Sequence, residues 1–289
     1  MLRPLREDDA EAVVDCYRNA FGDQRQIDAQ MVVEWLRNPE HKTEWQQVLE
    51  VDGKVVGYGD IWIGDEDAEL DLAAPDDWET FLDWGEGTAR AAELARVRAV
   101  FPEGHELEGV VASRGYRYWR SAYTMEIEFA DAPPEPPTFP NGIEVRGYDP
   151  ADADALRAAL NEAFALDPFF NEVTPGRFRA FYLGSRGFDP SLWLLAWADG
   201  DLAACLLAYP EFGGDTELGS IQSLGVRPRW RRRGLGAALL RLAFRELHGR
   251  GLRRARLGVD AENETGAVRL YERAGMHIAR RQDNWLLEL

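Results

Sequence analysis

The chain carries two similar stretches of sequence, one on each side of a proline-rich segment. That segment, residues 130–137, contains four prolines, which end helices and are excluded from central strands, so it indicates a linker. Arg3 to Phe21 and Arg146 to Phe164 each cover 18 steps and show the same order of features: a strand, an acidic helix start and an amphipathic helix. A repeated unit of this kind predicts two domains that share one fold.

The repeat continues beyond these first helices. An Asp-Gly pair lies between apolar runs in each half, Asp52-Gly53 in the first and Asp199-Gly200 in the second, and such a pair is a strong signal for a β-hairpin. We therefore predict an α/β (α+β) chain of two tandem domains. Each is expected to have a mixed, mostly antiparallel sheet flanked by helices.

Length and composition agree with this organisation. The chain has 289 residues, of which 45% are hydrophobic, and this is enough for two ordinary cores. The predicted boundaries are residues 1–130 for the first domain, 131–142 for the linker and 143–289 for the second domain.

Negative charge is concentrated in the first half. Residues 1–140 hold 13 Lys and Arg against 31 Asp and Glu, whereas residues 141–289 hold 20 of each, so the formal charge of −18 belongs entirely to the first half. This balance makes nucleic acid a poor partner. The acidic half either attracts a cationic substrate or serves solubility and life at high salt, and the sequence is compatible with both roles.

Other features limit the compartment and the cofactors. No run approaches the roughly 18 apolar residues that cross a membrane, and the N-terminus turns acidic at once, so we expect neither a membrane partner nor a targeting peptide. Cys16 and Cys205 lie in apolar segments, as the reduced core thiols of a cytoplasmic protein do. The four histidines lack metal-ligand spacing, so no metal is expected.

The two halves differ most at one turn between a strand and a helix. In the second half, a strand over residues 218–226 leads into three arginines, residues 231–233, and then into Gly234 and Gly236 at the start of an apolar-periodic helix. Backbone N–H groups at a helix start lack intrahelical partners and favour anions, so this turn predicts a pyrophosphate cradle. The same place in the first half, residues 74–81, carries acids and no Gly-x-Gly. We therefore predict one nucleotide site, in the second domain.

These residues resemble the motifs of one enzyme superfamily. The run V-x-P-x-x-R-x-x-G-x-G, residues 226–236, resembles the acyl-CoA loop of the GNAT superfamily of N-acetyltransferases. Residues 263–276 are similar to the second motif of that superfamily. The tandem layout is similar to that of mycothiol synthase and its relatives, whose C-terminal copy is the catalytic one. By this resemblance, residues 1–130 are a degenerate copy without the acyl-CoA loop.

The resemblance implies a role for each matching position. The backbone amides of residues 231–236 would hold the pyrophosphate of acetyl-CoA, and the strand over residues 224–226 would bind the pantetheine arm as an added strand does. The Leu224 amide would polarise the acetyl carbonyl, Asn263 would bond pantetheine, and Tyr271 would protonate the departing thiolate. The implied cofactor-binding set is Leu224, Gly225, Val226, Arg231, Arg232, Arg233, Gly234, Leu235, Gly236 and Asn263.

Two features depart from the family pattern. Asn263 and Tyr271 are eight steps apart where many members have seven, and Tyr271 could equally be a core aromatic. Ser220 stands where mycothiol synthase carries a general-base Glu, and this argues against the mycothiol precursor as the substrate. Gln222 nearby is also neutral, so Glu217, at the start of the strand, or Glu211 is the candidate base through a water chain.

Together these features predict a cytoplasmic, acetyl-CoA-dependent N-acetyltransferase, a monomer or homodimer, that acts on a primary amine of a small molecule. Transfer is expected to be direct, because neither cysteine falls in a motif for an acyl-enzyme. The acceptor is expected either between the two repeats or beside the aromatic-rich residues 164–187. Two further functions stay open. One is that of an acyl-CoA-binding regulator without transferase activity, which the missing strand carboxylate motivates, and the second is that of a nucleic-acid module over residues 227–233, which the charge disfavours.

Overall fold

The computed structural model describes residues 1–65 and 67–289 and divides them into two compact units. The first unit comprises Met1–Ala122 together with Arg280–Leu289, and the second comprises Tyr123–Ala279. The units therefore do not coincide with the repeats in the sequence, because the last ten residues of the second repeat lie in the first unit.

The first unit is a sheet with helices packed on it. Its strands lie in the order β1-β2-β3-β4-β5-β12-β6, to which β6 contributes residues 117–122. β4 pairs with β5 in parallel, whereas β1 with β2, β2 with β3, β3 with β4 and β5 with β12 are antiparallel pairs. Only residues 280–288 of β12 belong to this unit. The strands are β1 (Leu2–Pro4), β2 (Gln46–Val51), β3 (Lys54–Ile63), β4 (Asp67–Ala73), β5 (Arg96–Pro102), β6 (Arg117–Glu128) and β12 (His277–Glu288). The helices are α1 (Ala10–Phe21), α2 (Ala29–Arg37), α3 (Trp78–Ala91) and α4 (Leu107–Ser113).

The second unit repeats this plan. Its strand order is β6-β11-β10-β9-β8-β7, with residues 123–128 of β6 at one side, and β10 pairs with β11 in parallel. The strands are β7 (Ile143–Arg146), β8 (Trp193–Ala198), β9 (Asp201–Tyr209), β10 (Leu218–Val226) and β11 (Arg254–Asp260). The helices are α5 (Ala153–Phe164), α6 (Pro175–Phe178), α7 (Leu235–Gly249) and α8 (Ala267–Arg273), and a π-helical turn, Arg179–Leu183, follows α6.

Both predicted hairpins are confirmed. β2 pairs with β3, and β8 with β9, across the two Asp-Gly turns. The φ angles are +50° for Asp52 and Asp199, +76° for Gly53 and +83° for Gly200. Two successive residues in the left-handed region match the twist of paired strands, and this is why Asp-Gly specifies the turn.

Each face of the second sheet carries its own core. Leu239, Leu240 and Phe244 of α7 pack on one face, and Leu156 of α5 packs with the fully buried Trp193 on the other. Loss of a buried tryptophan costs about 3–5 kcal/mol, so the α5 face depends heavily on Trp193. Among the described residues no helix is long and apolar enough to span a bilayer.

Candidate active site

Strand β10 has one paired edge and one edge that opens halfway along. Its antiparallel ladder with β9 runs as far as Val226, which lies opposite Ala204. Its parallel ladder with β11 ends at Ile221, opposite Leu257, although both strands continue. The two strands therefore diverge, and residues 222–226 present an edge without a strand partner in the described part of the chain.

The direction of the backbone groups on this edge follows from one hydrogen bond. The N–H of Arg227 donates to the carbonyl of Ala203 on β9, at 3.1 Å. Because backbone groups alternate along a strand, Gly225 also faces β9, whereas Leu224 and Val226 face the open side. An extended ligand can therefore pair with Leu224 as an added strand would.

The turn after β10 leaves a series of backbone amides free. Arg232 and Gly234 adopt positive φ angles of +63° and +83°, and α7 begins at Leu235. Within the described chain, the N–H groups of residues 232–237 donate no hydrogen bond, and the first intrahelical bond runs from Ala238 to Gly234. Consecutive amides at a helix N-terminus bind anions, above all phosphates. Glycine suits position 234 because it adopts a left-handed φ without the strain that a Cβ atom adds.

The equivalent turn of the first unit is closed. There α3 begins after Asp77, whose carboxylate accepts the Thr80 N–H at 3.1 Å and the Thr80 hydroxyl at 2.7 Å. The side chain of Asp77 thus occupies the place that an anion would take, and it adds negative charge. This finding supports the prediction of one anion site, in the second unit.

The three arginines of the turn have different roles. Arg231 reaches back into the protein: its Nε donates to the carbonyl of Val226 at 3.1 Å, and its Nη2 to the carbonyl of Ala163 at 2.8 Å. Arg233 donates to the carbonyl of Arg229 at 3.2 Å and lies over the Trp230 ring. Arg232 is exposed and makes no hydrogen bond or ion pair with the described residues. Arg232 and Arg233 therefore both leave an exposed positive charge at this turn, whereas Arg231 ties the end of β10 to α5.

Tyr271 lies on α8 and is 7% exposed. Burial raises the pKa of its phenol, and the nearby carboxylate of Asp167 raises it further. The hydroxyl therefore holds its proton at neutral pH, which is the state that a general acid needs. Tyr271 packs in the α7-side core, so its core role and its predicted catalytic role are compatible.

Asn263 is engaged in its own loop. Its Oδ1 accepts the Thr265 N–H at 3.0 Å and the Ala267 N–H at 3.4 Å. Gly266 adopts a φ of +81° directly before α8. The side-chain carbonyl is therefore used internally, and only the Asn263 amide nitrogen remains for a ligand.

Glu217, the predicted base, lies far along β10 from Leu224. It is exposed and lies at the start of β10, seven residues from Leu224, a span of about 23 Å at about 3.3 Å per residue. A Cβ on Gly219 would contact Leu247 of α7, so alternation directs Glu217 to the α7 face and not to the α5 face. The sequence does not show at which end of β10 the reaction takes place, so the distance from Glu217 to that end could not be judged from the sequence. The second candidate, Glu211, is ion-paired with Arg186.

Sequence reasoning missed a cluster of polar groups on the α5 face. The β10 ladder shifts register between Ile221 and Ser223, so Gln222 forms a bulge, and its Nε2 donates to the Phe181 carbonyl at 3.2 Å. That carbonyl belongs to the π-helical turn and also accepts the Ser185 hydroxyl at 2.6 Å. Bulges and π-turns are frequent at functional sites, but neither has a reliable sequence signal.

The second unit thus has an open strand edge on β10, a run of free amides at the start of α7 and a buried phenol on α8. The comparisons with known proteins agree: the Acetyltransferase (GNAT) family model matches residues 156–276. The chain belongs to the GNAT family and is an N-acetyltransferase.

The relatives extend the likeness to most of the chain. A mycothiol acetyltransferase of Cellulomonas flavigena is 31% identical over 267 residues, covering 83% of this chain and 74% of that protein. A mycothiol acetyltransferase of Streptomyces scabiei is 34% identical over 65% of this chain and only 61% of its own length. A GCN5-related N-acetyltransferase from Sphaerobacter thermophilus aligns with 100% of this chain and 95% of its own, at 27% identity and a TM-score of 0.79.

A second solved structure shares the fold. A tandem GNAT protein from the clavulanic acid biosynthesis pathway aligns with 100% of this chain and 98% of its own, with a TM-score of 0.71 at 15% identity. The predicted tandem GNAT architecture is therefore confirmed.

Proposed function

We propose that the second unit binds acetyl-CoA and transfers its acetyl group directly to a primary amine of a small molecule. The observation that carries this proposal is the run of free amides over residues 232–237 at the end of an open strand edge. The pyrophosphate would lie on those amides with Arg232 beside it, and the pantetheine arm would follow Leu224. Asn263 would contribute its amide nitrogen to the same arm.

The reaction would need little rearrangement. The amine attacks the thioester carbonyl, the oxyanion forms against the Leu224 N–H, and the C–S bond breaks as Tyr271 gives its proton to the sulfur. Because burial keeps Tyr271 protonated, the acid is ready before the thiolate leaves.

The proton of the amine requires another acceptor than Glu217. We assign this role to Asp167. A Cβ on Gly225 would lie 3.1 Å from Ala163 and 3.3 Å from Phe164, so the end of α5 contacts β10 next to Leu224. Asp167 is three residues further on, and its N–H donates to the Phe164 carbonyl at 2.8 Å. A carboxylate in this loop takes up a proton through water more directly than one at the far end of β10.

The acceptor is a small-molecule amine in this proposal, and the names of the mycothiol acetyltransferase relatives support that class. Ser220 in place of the Glu implied by the resemblance argues for a different amine from theirs. A cytoplasmic location is part of the proposal and rests on the two buried free cysteines, Cys16 and Cys205.

Coenzyme A binding tests whether the free amides of residues 232–237 hold the ligand. Calorimetry with coenzyme A is expected to give tight binding to the wild type and at least about tenfold weaker binding to Gly234→Val, whose φ of +83° a β-branched residue rarely adopts. Gly249→Ala is the matched control, since Gly249 ends α7 with nothing within 4 Å of an added Cβ. Equal affinity in Gly234→Val and the wild type would remove the cradle from the proposal.

An acceptor screen separates the enzyme from the regulator. Acetyl-CoA is mixed with a broad panel of amines, and the release of free thiol is followed. Release with one class of amine, lost in Asp167→Asn at neutral pH, is expected. Tight coenzyme A binding without thiol release from any amine would favour the acyl-CoA-binding regulator.

A further inference from the structure

The outer edge of strand β7 has no partner in the described part of the chain. β7 (Ile143–Arg146) is the last strand of the second sheet, and its one neighbour there is β8. An open edge presents a row of backbone N–H and C=O groups on which a further strand can pair. Native proteins block such edges with proline, with lysine or with a bulge, and β7 contains none of these.

Two hydrogen bonds show which backbone groups point to the free edge. The N–H of Tyr148 donates to the Pro190 carbonyl, shortly before β8, at 2.9 Å. The N–H of Ile143 instead donates to the Pro140 carbonyl, at 3.3 Å, and not to β8. Because backbone groups alternate in direction along a strand, the N–H and C=O of Val145 point away from β8. They are therefore free to pair with another strand.

The corresponding edge of the first unit is protected. β1 is the outer strand of that sheet, and the repeat aligns Arg3 with Arg146, so Pro4 of β1 corresponds to Gly147. The N–H of Leu5 donates to a carbonyl at the start of β2, at 3.0 Å, so the residue before it points outward. Pro4 has no N–H to offer at this outward position. One repeat thus blocks its edge, whereas the other leaves it open.

The charges on either side of Val145 match those of a second copy of the chain. Glu144 is exposed and makes no hydrogen bond or ion pair with the described residues. Arg146 binds Asp152 through both Nη atoms, and its Nε makes no hydrogen bond in the described chain. In an antiparallel pair centred on Val145, Glu144 of each copy lies opposite Arg146 of the other. Opposite charges in this position stabilise a sheet.

A cavity beside Glu144 has an excess of negative charge. Its volume is about 470 Å³, and its lining residues are Gly142, Glu144, Arg146, Trp197, Asp199 and Gly200. The carboxylate of Asp199, like that of Glu144, makes no hydrogen bond or ion pair with the described residues. The arginine of the cavity is already paired with Asp152. A further guanidinium therefore matches the charge of this cavity.

We propose that β7 pairs with β7 of a second copy, antiparallel and centred on Val145, to form a symmetric homodimer. The two Val145 residues form a hydrogen-bonded pair on the two-fold axis, and Arg146 of the second copy enters the cavity beside Glu144. A two-fold interface needs this self-complementarity, because each surface meets its own copy. The interface needs no acyl-CoA, so it stands apart from the function proposed for the second unit.

Sedimentation of the full-length protein over a range of concentrations tests this proposal. The wild type is expected to sediment as a dimer that dissociates on dilution. Val145→Pro removes both hydrogen bonds at the axis but none of the ladder to β8, so it should raise the dissociation constant about tenfold or more. Val145→Thr is the matched control, because it keeps the N–H and the branched side chain. A wild type that stays monomeric at every concentration would overturn the proposal.

A charge reversal tests the register of the pair. Glu144→Lys places like charges opposite each other, so it is expected to weaken the dimer about tenfold at low salt and less at high salt. Glu135→Lys is the matched control, since it makes the same change at an exposed acid in the linker. Glu144→Lys decides the question if Val145→Pro fails to fold. If either folded variant leaves the dimer unchanged, β7 does not pair in this register and the proposal is wrong.

Discussion

Arg231→Ala tests whether the turn over residues 231–236, the proposed site for acyl-CoA, is held in its conformation by a side chain that points back into the protein. Arg231 bridges two carbonyls, that of Val226 at the end of β10 and that of Ala163 in the last turn of α5. A hydrogen bond from a charged group contributes about 1.5–3 kcal/mol, and two that share one guanidinium are not additive, so the loss is about 2–4 kcal/mol. If half of this loss falls on the ordering of the loop, coenzyme A affinity drops about tenfold.

The assay is calorimetry with coenzyme A at two salt concentrations. Arg231→Ala is expected to weaken binding by a similar factor at low and high salt, because its effect is conformational. Arg232→Ala is the matched control: it removes an exposed charge beside the cradle, so its effect should shrink as salt screens it. Arg231→Lys should recover little, since an ammonium cannot reach both carbonyls as a planar fork does. If Arg231→Ala binds coenzyme A within twofold of the wild type, the two hydrogen bonds of Arg231 do not order the turn.

Three further changes probe the acid, the packing and the buried charge. Tyr271→Phe is expected to lower kcat about 10- to 1,000-fold in the thiol-release assay while coenzyme A affinity stays the same, and unchanged kcat would remove the phenol from the mechanism. Gly59→Ala places a Cβ 2.3 Å from the Phe81 ring and should cost about 1–3 kcal/mol in urea unfolding, whereas Gly87→Ala, with open space in α3, should cost nothing. Burial raises the pKa of Asp71 to about 6, so the folded state binds its proton more tightly than the unfolded state. The contribution of Asp71 to stability should therefore fall as pH rises from about 4 to 6, by about 1–3 kcal/mol, and the difference in unfolding free energy between the wild type and Asp71→Asn, measured in urea, should change by this amount across that range.

The parts of the fold that can be predicted from the sequence are those with a local cause. The Asp-Gly turns specify their hairpins through two positive φ angles, and Gly234 marks the cradle because a helix start leaves amides free whatever surrounds it. The repeat then supplies the architecture, since the same order of signals must fold in the same way twice. None of these features depends on contacts between distant residues.

What could not be predicted depends on pairing between distant strands. The bulge at Gln222 arises only from the register of β10 with β9. The hydrogen bond from Arg231 to the Ala163 carbonyl forms only because α5 ends beside β10. The buried ladder of Gln46, Asp60 and Asp71 is likewise invisible in a sequence where acids are common, because three separate strands bring it together. The face of the sheet on which Glu217 lies could not be predicted for the same reason, because strand direction and face are properties of the sheet.

The two units show how one fold gains or loses an anion site through its helix start. In the first unit the carboxylate of Asp77 fills the N-terminus of α3, and in the second Gly234 leaves the N-terminus of α7 open. A side-chain cap stabilises a helix by about 1 kcal/mol, and α7 lacks this contribution while no ligand is bound to its free amides. An anion that accepts hydrogen bonds from those amides would recover about this amount of free energy, whereas the packing of Leu239, Leu240 and Phe244 stabilises α7 with or without it. The capped helix cannot gain an anion without first losing its own. The absence of a cap at Gly234 is therefore the structural difference on which the proposed acyl-CoA binding by the second unit depends.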